Sequence, residues 1–227
     1  MEPPTLSIVI LARDAAATLP AVLTSLDEGG FVREVLLVDG GSTDETARLA
    51  EAAGAKVLTM PAGRGSQLAA GAAAAVGEWL LFLHADTVLL AGWAAVVTTF
   101  IADPANEARA AVFRLQFDDP DPRARRIERL ARWRGRVLGL PYGDQGLLIS
   151  ARFYRDLGGY RPLPLMEDVD FVRRIGRRRL VVLEAPALTS AARYRAGGWW
   201  LRPARNLSIL ALYFVGVPPR FLQRLYG

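Results

Sequence analysis

The chain lacks several features that would define particular classes of protein. It has no cysteine, which excludes a disulfide framework and thiolate chemistry. Residues 1–5 carry an acid and two prolines instead of the basic start of a signal peptide, so we expect a cytoplasmic protein. The nearly all-apolar run 207–217 is too short to span a bilayer. We find no internal repeat and no low-complexity linker.

The composition is that of a folded protein with an uneven charge distribution. Apolar residues make up 52% of the 227 positions, which excludes global disorder and suits one large domain, with or without a tail. The net charge is +5, but residues 185–227 contain no acid and six arginines. Residues 123–136 contain seven arginines and one glutamate. Such asymmetry favours phosphates, nucleic acid or an anionic membrane surface as partners.

Strand and helix patterns alternate in the first half of the chain. We predict strands at 6–11, 35–38, 56–60 and 79–83. Helices are predicted at 15–26, from an N-cap at Ser42 with Glu45 to about Ala53, and from a cap at Ser66 to about Gly77. This short-range alternation predicts an α/β fold with a parallel, doubly wound sheet.

The alternation loosens after Ala110. We predict strands at 111–117, 146–150 and 180–183, a helical stripe over 123–138 and a short helix at 153–157 that ends at two glycines. The tail from about Trp199 reads as helical. Its apolar run is predicted to be a helix packed on the domain, with an anionic membrane surface as the alternative.

The predicted strand at 79–83 ends in the only histidine of the chain, His84, followed by Asp86. Ligands of open α/β sheets gather at the carboxyl ends of such strands. A carboxylate and an imidazole at this edge favour a hard divalent cation that carries phosphates. The alternative is a solvated turn in which Asp86 caps the next helix.

Three other strand–helix junctions carry polar side chains to the same edge. Arg13 and Asp14 follow the first strand, and Asp39 ends the second, where its carboxylate can accept hydrogen bonds from a nucleobase or a ribose. Arg64, after the third strand, can neutralise a phosphate. Each of these residues also has a structural alternative. Arg13 or Asp14 could cap the first helix, the residues after Asp39 could only form the turn, and Arg64 could be a solvated loop arginine.

Adjacent carboxylates open a later predicted helix. Glu167 and Asp168 follow a loop that contains Pro162 and Pro164. They are plausible helix N-terminal residues, and they are also what a general base requires if the loop folds over a substrate. A further carboxylate lies in the stretch 143–146, just before a strand.

These motifs, in this order, resemble the family 2 glycosyltransferases with the GT-A fold. The resemblance covers about residues 6–183 and rests on four stretches: 7–11, 38–44, 84–86 and 167–171. Residues 63–65, 84–86 and 143–146 look more specifically like a small bacterial branch labelled radical-SAM/selenodomain-associated transferase. The resemblance implies a nucleotide-diphospho-sugar transferase domain at 1–190, with a Rossmann-like, mostly parallel sheet flanked by helices, and a basic and apolar helical tail at 191–227.

The resemblance also implies a function and its residues. The chain is expected to be an inverting glycosyltransferase, with hexosyl transfer expected, that uses a UDP- or GDP-sugar and Mn²⁺ or Mg²⁺. Asp168 would be the base that deprotonates a hydroxyl acceptor, with Glu167 beside it, and Asp86 with His84 would hold the metal. Donor binding is assigned to the strand-end residues Leu11, Arg13, Asp14, Asp39, Gly41, Ser42, Arg64, Gln67 and Ala85.

The sequence departs from the family pattern at two places. Arg13 and Asp14 stand where the family commonly has an Asn–Glu pair, and His84 stands where an aspartate is usual. The second change removes one anionic ligand from the metal motif. The acceptor is a hydroxyl of unspecified type, with a lipid-linked one and peripheral contact with the inner face of the cell membrane among the alternatives.

Two other functions compete with this hypothesis. A sugar-1-phosphate nucleotidyltransferase shares the architecture, but it would need a glycine-rich loop at 11–15, where the glycines are missing. A nucleic-acid-binding module would explain the arginines but not the carboxylates at strand ends. Its stacking platforms would also need aromatics interleaved with the basic residues. We therefore expect no nucleic-acid partner.

Overall fold

A computed structural model describes residues 4–28 and 30–226, apart from the side chain of Arg193. Two predictions fall partly on residues that are not described. The signal-peptide expectation rests partly on residues 1–3, and the predicted tail includes Gly227 and the side chain of Arg193. The strands are β1 Leu6–Ala12, β2 Val32–Asp39, β3 Lys56–Thr59, β4 Trp79–His84, β5 Thr87–Leu89, β6 Ala110–Phe117, β7 Leu147–Ser150 and β8 Leu180–Thr189.

Helices connect and cover these strands. They are α1 Leu19–Ser25, α2 Thr46–Ala52, α3 Arg64–Ala74, α4 Trp93–Ala102, α5 Pro122–Trp133, α6 Ala151–Asp156, α7 Glu167–Ile175, α8 Ala192–Gly197, α9 Leu201–Phe214 and α10 Pro219–Tyr226. A π-helical turn, Arg134–Leu138, follows α5, and a 3₁₀ turn, Gly143–Gln145, precedes β7.

The strands form one sheet in the order β3-β2-β1-β4-β7-β6-β8-β5. The first four strands are parallel, as the alternation predicts. β6 and β8 are also parallel, whereas β7 runs antiparallel to β4 and β6, and β5 runs antiparallel to β8. The sheet is therefore mostly parallel, and its purely parallel part is the half built from regular strand–helix repeats.

The central strands are buried on both faces of the sheet. Along β1, Ile8 and Ile10 belong to one core cluster and Val9 to the other. Along β4, Leu81 packs in the first cluster and Phe82 in the second. Two buried faces explain why these segments are continuous apolar runs rather than alternating ones.

Two predicted helix N-caps are wrong. α2 begins at Thr46, and Ser42 does not cap it, because its hydroxyl donates to the Asp39 carboxylate and accepts from the N–H of Asp14. α3 begins at Arg64 after an N-cap at Gly63, not at Ser66. In the first of these loops, hydrogen bonding over a short distance competes with the helix cap that the residue type suggests.

Other boundaries also shift. α1 begins at Leu19 because the N–H groups of residues 15 and 16 donate to side chains of Thr46 and Asp44 instead of continuing a helix. The predicted helix at 123–138 divides into α5 and the π turn, and the last strand extends six residues further, to Thr189. The short strand β5 was not predicted.

The tail helices pack on the domain. Ile209 and Leu210 of α9 and Leu222 of α10 are buried in the same core cluster as Phe82 and Phe171. The division of the chain between residues 190 and 191 stays a prediction. Within the described residues, no helix is long and apolar enough to cross a membrane.

Candidate active site

The carboxyl ends of β1 and β4 lie side by side. Leu11 pairs with His84 in the parallel register, so the residues that follow each strand reach the same edge of the sheet. They line an open cleft of about 520 Å³. This cleft brings together eight of the predicted site residues: Leu11, Arg13, Asp14, Arg64, Gln67, His84, Ala85 and Asp86.

A smaller cavity of about 110 Å³ adjoins this cleft. The two share Arg64, His84 and Asp86 in their walls. The smaller cavity also contains Asp168, from the first turn of α7, and Asp144, from the 3₁₀ turn before β7. The predicted base therefore lies beside the cavity that the predicted metal ligands line.

Asp168 is held in place by the backbone. Its Oδ2 accepts a hydrogen bond of 2.9 Å from the N–H of Gly143. It lies in the first turn of α7, where the helix dipole favours a carboxylate. Met166, just before the helix, has a φ of 64°, a left-handed conformation that is uncommon for a residue with a side chain. That backbone turn sets the direction in which the helix begins.

Glu167 lies behind the cavity and pairs with Arg64. Arg64 Nε is 2.8 Å from Glu167 Oε1, and only 1% of Glu167 is exposed. Burial raises the pKa of Glu167 to about 7, even though Arg64 opposes this shift. Glu167 is not among the residues that line either cavity. Its contacts are those of a residue that positions Arg64.

Arg64 connects the two halves of the site. Besides its pairing with Glu167, its Nη2 lies 3.1 Å from His84 Nε2. Burial disfavours the charged guanidinium, but the carboxylates of Glu167 and Asp168 outweigh burial and raise the pKa of Arg64. Arg64 is therefore a permanent positive charge at the boundary between the cleft and the cavity.

The loop after β2 stands apart from both cavities. Asp39, Gly41 and Ser42 were predicted to bind the donor, but none of them lines the cleft or the cavity. The Asp39 carboxylate accepts hydrogen bonds from the N–H and the hydroxyl of Ser42. Ser42 Oγ in turn accepts a hydrogen bond of 2.8 Å from the N–H of Asp14, which does line the cleft. The loop therefore holds the backbone of Asp14, and with it one wall of the cleft, in place.

Gln67 lines the cleft, but its amide is engaged with the backbone. Its Nε2 donates to the carbonyl oxygens of Ala12 and Val38, at 3.2 and 2.8 Å, and its Oε1 accepts from the N–H of Gly63. This buried side chain ties the ends of β1 and β2 to the start of α3.

The sequence analysis missed several residues of the smaller cavity. Asp144 was noted only as a further carboxylate; burial raises its pKa to about 6, and the Asp168 and Asp86 carboxylates add to this against Arg134. The stretch 143–146 was the available signal for it. The tail contributes six cavity or cleft residues for which no motif gave a signal: Ala192, Tyr194, Arg202, Asn206, Gln223 and Tyr226.

The donor atoms suit a cation that arrives with a substrate better than a resident ion. Among the described residues, no group of three His, Asp or Glu side chains could enclose a metal. Asp86 offers one hard oxygen ligand at the cleft, and His84 is adjacent but contacts Arg64. Mg²⁺ is commonly held by one or two carboxylates together with substrate phosphates, so a single carboxylate fits that arrangement.

The fold and the strand-end cleft define the chain as a GT-A protein, and solved structures agree. The mannosyltransferase PcManGT from Pyrobaculum calidifontis, in complex with GDP-Man and Mn²⁺, has a TM-score of 0.69 at 17% identity, over 100% of this chain and 69% of that one. Glucosyl-3-phosphoglycerate synthase from Mycobacterium tuberculosis, with Mn²⁺, UDP and glucosyl-3-phosphoglycerate, has a TM-score of 0.61 at 21% identity, over 95% and 81%.

Sequence comparisons identify the family. The model for glycosyl transferase family 2 matches residues 7–180, so the chain belongs to that family. Glucosyl-3-phosphoglycerate synthase of Mycolicibacterium smegmatis is 35% identical over 95 residues, and the match covers 37% of this chain and 31% of that protein. A PGL/p-HBAD biosynthesis glycosyltransferase of Mycobacterium bovis is 39% identical over 114 residues, 45% of this chain and 44% of the relative. The chain therefore matches less than half the length of these curated relatives.

Proposed function

We propose that the protein is an inverting glycosyltransferase that transfers a hexosyl group from a UDP- or GDP-sugar to a hydroxyl acceptor. The observation that carries this proposal is the shared wall of the two cavities. Arg64 and Asp86 lie where a diphosphate would bind, and Asp168 lines the adjoining cavity, where an acceptor would bind. Displacement with inversion at an anomeric carbon requires groups that stabilise the leaving diphosphate on one side of the carbon and a base for the acceptor hydroxyl on the other.

The proposed reaction uses the residues as follows. The acceptor oxygen attacks the anomeric carbon while the bond from that carbon to the phosphate oxygen breaks, and the configuration inverts. Asp168 takes the proton of the acceptor hydroxyl. Arg64 stabilises the negative charge that develops on the leaving diphosphate.

A divalent cation fits the same site. Asp86, with His84 beside it, would hold Mn²⁺ or Mg²⁺, and the ion would supply further charge neutralisation on the diphosphate. Leu11, Arg13, Asp14 and Ala85 are proposed to contact the nucleoside, since they line the cleft. Roles for Asp39, Gly41, Ser42 and Gln67 are then indirect, through the backbone that shapes the cleft.

Glu167 is proposed to position Arg64 rather than to take the proton. Its pairing with Arg64 and its burial support this role. The motifs at 63–65, 84–86 and 143–146 support placing the chain in the radical-SAM/selenodomain-associated branch.

The experiment that tests this function is a donor screen. UDP-glucose, UDP-galactose and GDP-mannose are incubated with the protein and Mn²⁺, and release of UDP or GDP is measured. No acceptor is added, so water takes its place and the sugar is released by hydrolysis. We expect slow release of UDP or GDP from at least one donor, and we expect chelation of the metal to reduce it. If no donor releases its nucleoside diphosphate and neither UDP nor GDP raises the thermal midpoint with Mn²⁺, the proposed function is wrong.

We further propose that the protein binds the surface of anionic membranes, at the inner face of the cell membrane, and that its acceptor is lipid-linked. Most large apolar side chains that are exposed, within the described residues, lie in two segments, 130–138 and 200–225. The most exposed are Leu201 and Val215, at 76% and 77%. The C-terminal segment contains arginines and no acid. Apolar side chains among arginines suit the interface of an anionic bilayer.

Contacts place the two segments near each other. Ala131 of α5 and Trp199 belong to one buried cluster, and the guanidinium of Arg123, at the start of α5, lies 5.8 Å from the ring centre of Trp199. The helix that precedes the first segment therefore packs against the start of the second.

Sedimentation with vesicles tests membrane binding. We expect the protein to bind vesicles of phosphatidylcholine with 30% phosphatidylglycerol more strongly at low salt than at high salt, because each arginine near the surface contributes about 1 kcal/mol, which salt screens. The double variant Trp200→Ser/Leu201→Ser should bind less. Val76→Ser is the matched control, since Val76 is 64% exposed outside both segments. Equal binding to neutral and anionic vesicles, or binding to neither, would contradict the proposal.

A further inference from the structure

The turn that holds the proposed base is itself anchored by an arginine from outside the cavities. Gly143, whose N–H donates to Asp168 Oδ2, begins the 3₁₀ turn before β7. Arg134, the first residue of the π turn after α5, contacts the stretch just before this turn through its side chain. Arg134 lines neither the cleft nor the smaller cavity, so any effect that it has on the site is indirect.

Arg134 makes two side-chain contacts with the stretch 140–142. Its Nε donates a hydrogen bond of 2.7 Å to the carbonyl oxygen of Leu140, a buried residue of the core. Its guanidinium lies 3.4 Å from the centre of the Tyr142 ring. The negative face of an aromatic ring attracts a cation, and the attraction is stronger where the pair is partly removed from water. The hydrogen bond and the ring contact together fix both ends of this stretch.

The chain between these contacts and the base is short and stiff. Pro141 lies between Leu140 and Tyr142, and its ring fixes its own φ and restricts the residue before it. Gly143 follows directly and is closely packed, since a methyl group on it would lie 2.8 Å from His84 Nε2. A displacement of Tyr142 therefore reaches the N–H that holds Asp168, with little chain in between to absorb it.

The end of the turn is anchored from the other side. The side-chain amide of Gln145 donates to the carbonyl oxygen of Phe113 at 3.0 Å, and the hydroxyl of Thr189 donates to the carbonyl oxygen of Asp144 at 3.2 Å. These bonds hold the end of the turn against β6 and β8. The start of the turn, which carries the N–H for the proposed base, depends on the stretch 140–142 and hence on Arg134.

We infer that Arg134 is a positioning residue for the transfer reaction: it holds the stretch 140–142 so that the Gly143 N–H fixes the orientation of the Asp168 carboxylate. This inference rests on the proposed function for the role of Asp168 as the base. Because Arg134 acts through that base, its loss should lower turnover and leave donor binding unchanged. Misplacement of a reacting group by about 1 Å can cost about 10²-fold in rate.

The test compares two variants of Arg134. Arg134→Met keeps an aliphatic stem but removes the donor and the charge, whereas Arg134→Lys keeps a donor and a charge. Arg129→Met is the matched control, because Arg129 is exposed on α5. The assay is release of UDP or GDP from the donor found in the screen, with kcat and KM measured separately. Thermal midpoints show which variants are folded, and Arg134→Gln replaces Arg134→Met if the latter is not.

We expect Arg134→Met to lower kcat about 10- to 100-fold and to leave KM for the donor within about twofold of the parent. Arg134→Lys should be at least about threefold more active than Arg134→Met, because it restores the cation over the ring. Arg129→Met should match the parent. A loss of donor affinity in place of kcat, or equal losses in the lysine and methionine variants, overturns the inference.

The double variant Arg134→Met/Asp168→Asn shows whether Arg134 acts through the base. If it does, the double variant turns over no more slowly than Asp168→Asn alone, whereas losses that multiply overturn the inference.

Hydrogen exchange of the Gly143 amide, followed by NMR, is a readout that needs no activity. Exchange should be about tenfold faster in Arg134→Met than in the parent and unchanged in Arg129→Met. If no donor is turned over, the proposed function fails. Faster exchange of the Gly143 amide in Arg134→Met then still supports the anchoring of the turn by Arg134, and unchanged exchange overturns it.

Discussion

The two halves of the sheet contribute to the site in different ways. In the half formed by β3, β2, β1 and β4, the site residues follow directly after strands, and their position is a property of the local chain. In the half formed by β7, β6, β8 and β5, site residues come from a 3₁₀ turn, the first turn of α7 and the tail helices. In the proposed function, the first half provides the groups for a diphosphate, and the second provides the base and the walls around it. Local sequence patterns locate the residues proposed for donor binding, whereas the residues proposed for the acceptor side come together through tertiary packing.

The largest expected effect comes from the second half. Asp168→Asn should lower turnover about 10²–10⁴-fold, because asparagine keeps the shape but cannot accept a proton. Donor affinity should change little, since Asp168 lies on the other side of the shared wall. Glu167→Gln should cost less, because Glu167 acts through Arg64. The measurement is release of nucleoside diphosphate alongside donor affinity, with Asp156→Asn as control. If Asp168→Asn is fully active and Glu167→Gln is inactive, Glu167 rather than Asp168 is the base.

The matching change in the first half is Asp86→Ala. It should abolish the gain in UDP or GDP affinity that Mn²⁺ provides, a loss of about 10- to 100-fold for removing a charged partner. His84→Ala should have a smaller effect, because a neutral imidazole adds little charge and contacts Arg64. Calorimetry with and without Mn²⁺ measures both, and Asp27→Ala is the control for loss of an exposed acid. Metal-dependent affinity that survives in Asp86→Ala would remove this residue from the site.

The smallest effect concerns stability. The pKa of Asp144 rises from 3.8 to about 6 on folding, so the folded state binds the proton more tightly than the unfolded state. The tighter proton binding by Asp144 stabilises the folded state. This contribution is fully present below pH 3.8 and is lost as the pH rises through 6. Asp144→Asn removes this dependence and should raise the free energy of unfolding by about 1–2 kcal/mol at pH 7.5 and little at pH 4.

Urea unfolding at several pH values, without divalent ions, checks this prediction. Asp156→Asn should show no such trend, because Asp156 is exposed. A stability difference between parent and Asp144→Asn that is constant with pH, or larger at pH 4, would contradict it.

The difference between the two halves of the sheet also explains how much of the fold and of the site could be predicted from the sequence. The parallel strands and the cleft residues after them follow from apolar runs that end in charged residues, and the structure confirms both the parallel half and the position of Arg64, His84 and Asp86 at one edge. Asp168 lines the adjoining cavity. A general base at this position requires that the loop before it folds over the substrate, and the position of Asp168 in the cavity wall is consistent with this. Its catalytic role stays a prediction.

Two kinds of feature were not accessible from the sequence. The helix start at Thr46 depends on a side chain that bonds across a loop, Ser42 to Asp39, which competes with its capping preference. The start of α3 at Arg64 lies against a distant loop, where the N–H of Gly65 donates to the carbonyl of Leu163. Asn206 and Tyr226 enter the site only because α9 and α10 pack on a core cluster whose other members range from Val9 to Ile175. No local pattern records such a contact.

The beginning of α3 also has a mechanical consequence. The backbone of Gly65 lies against Arg161 and Leu163, in the loop that leads to α7, and its N–H donates to the carbonyl of Leu163 at 3.1 Å. A methyl group at position 65 would overlap the carbonyl oxygen of Arg161. The element that carries Arg64 and the loop that precedes the base are therefore in direct backbone contact. Because this contact is between backbones, a displacement of the start of α3 displaces the loop before α7 as well, and Arg64 and Asp168 keep their relative positions.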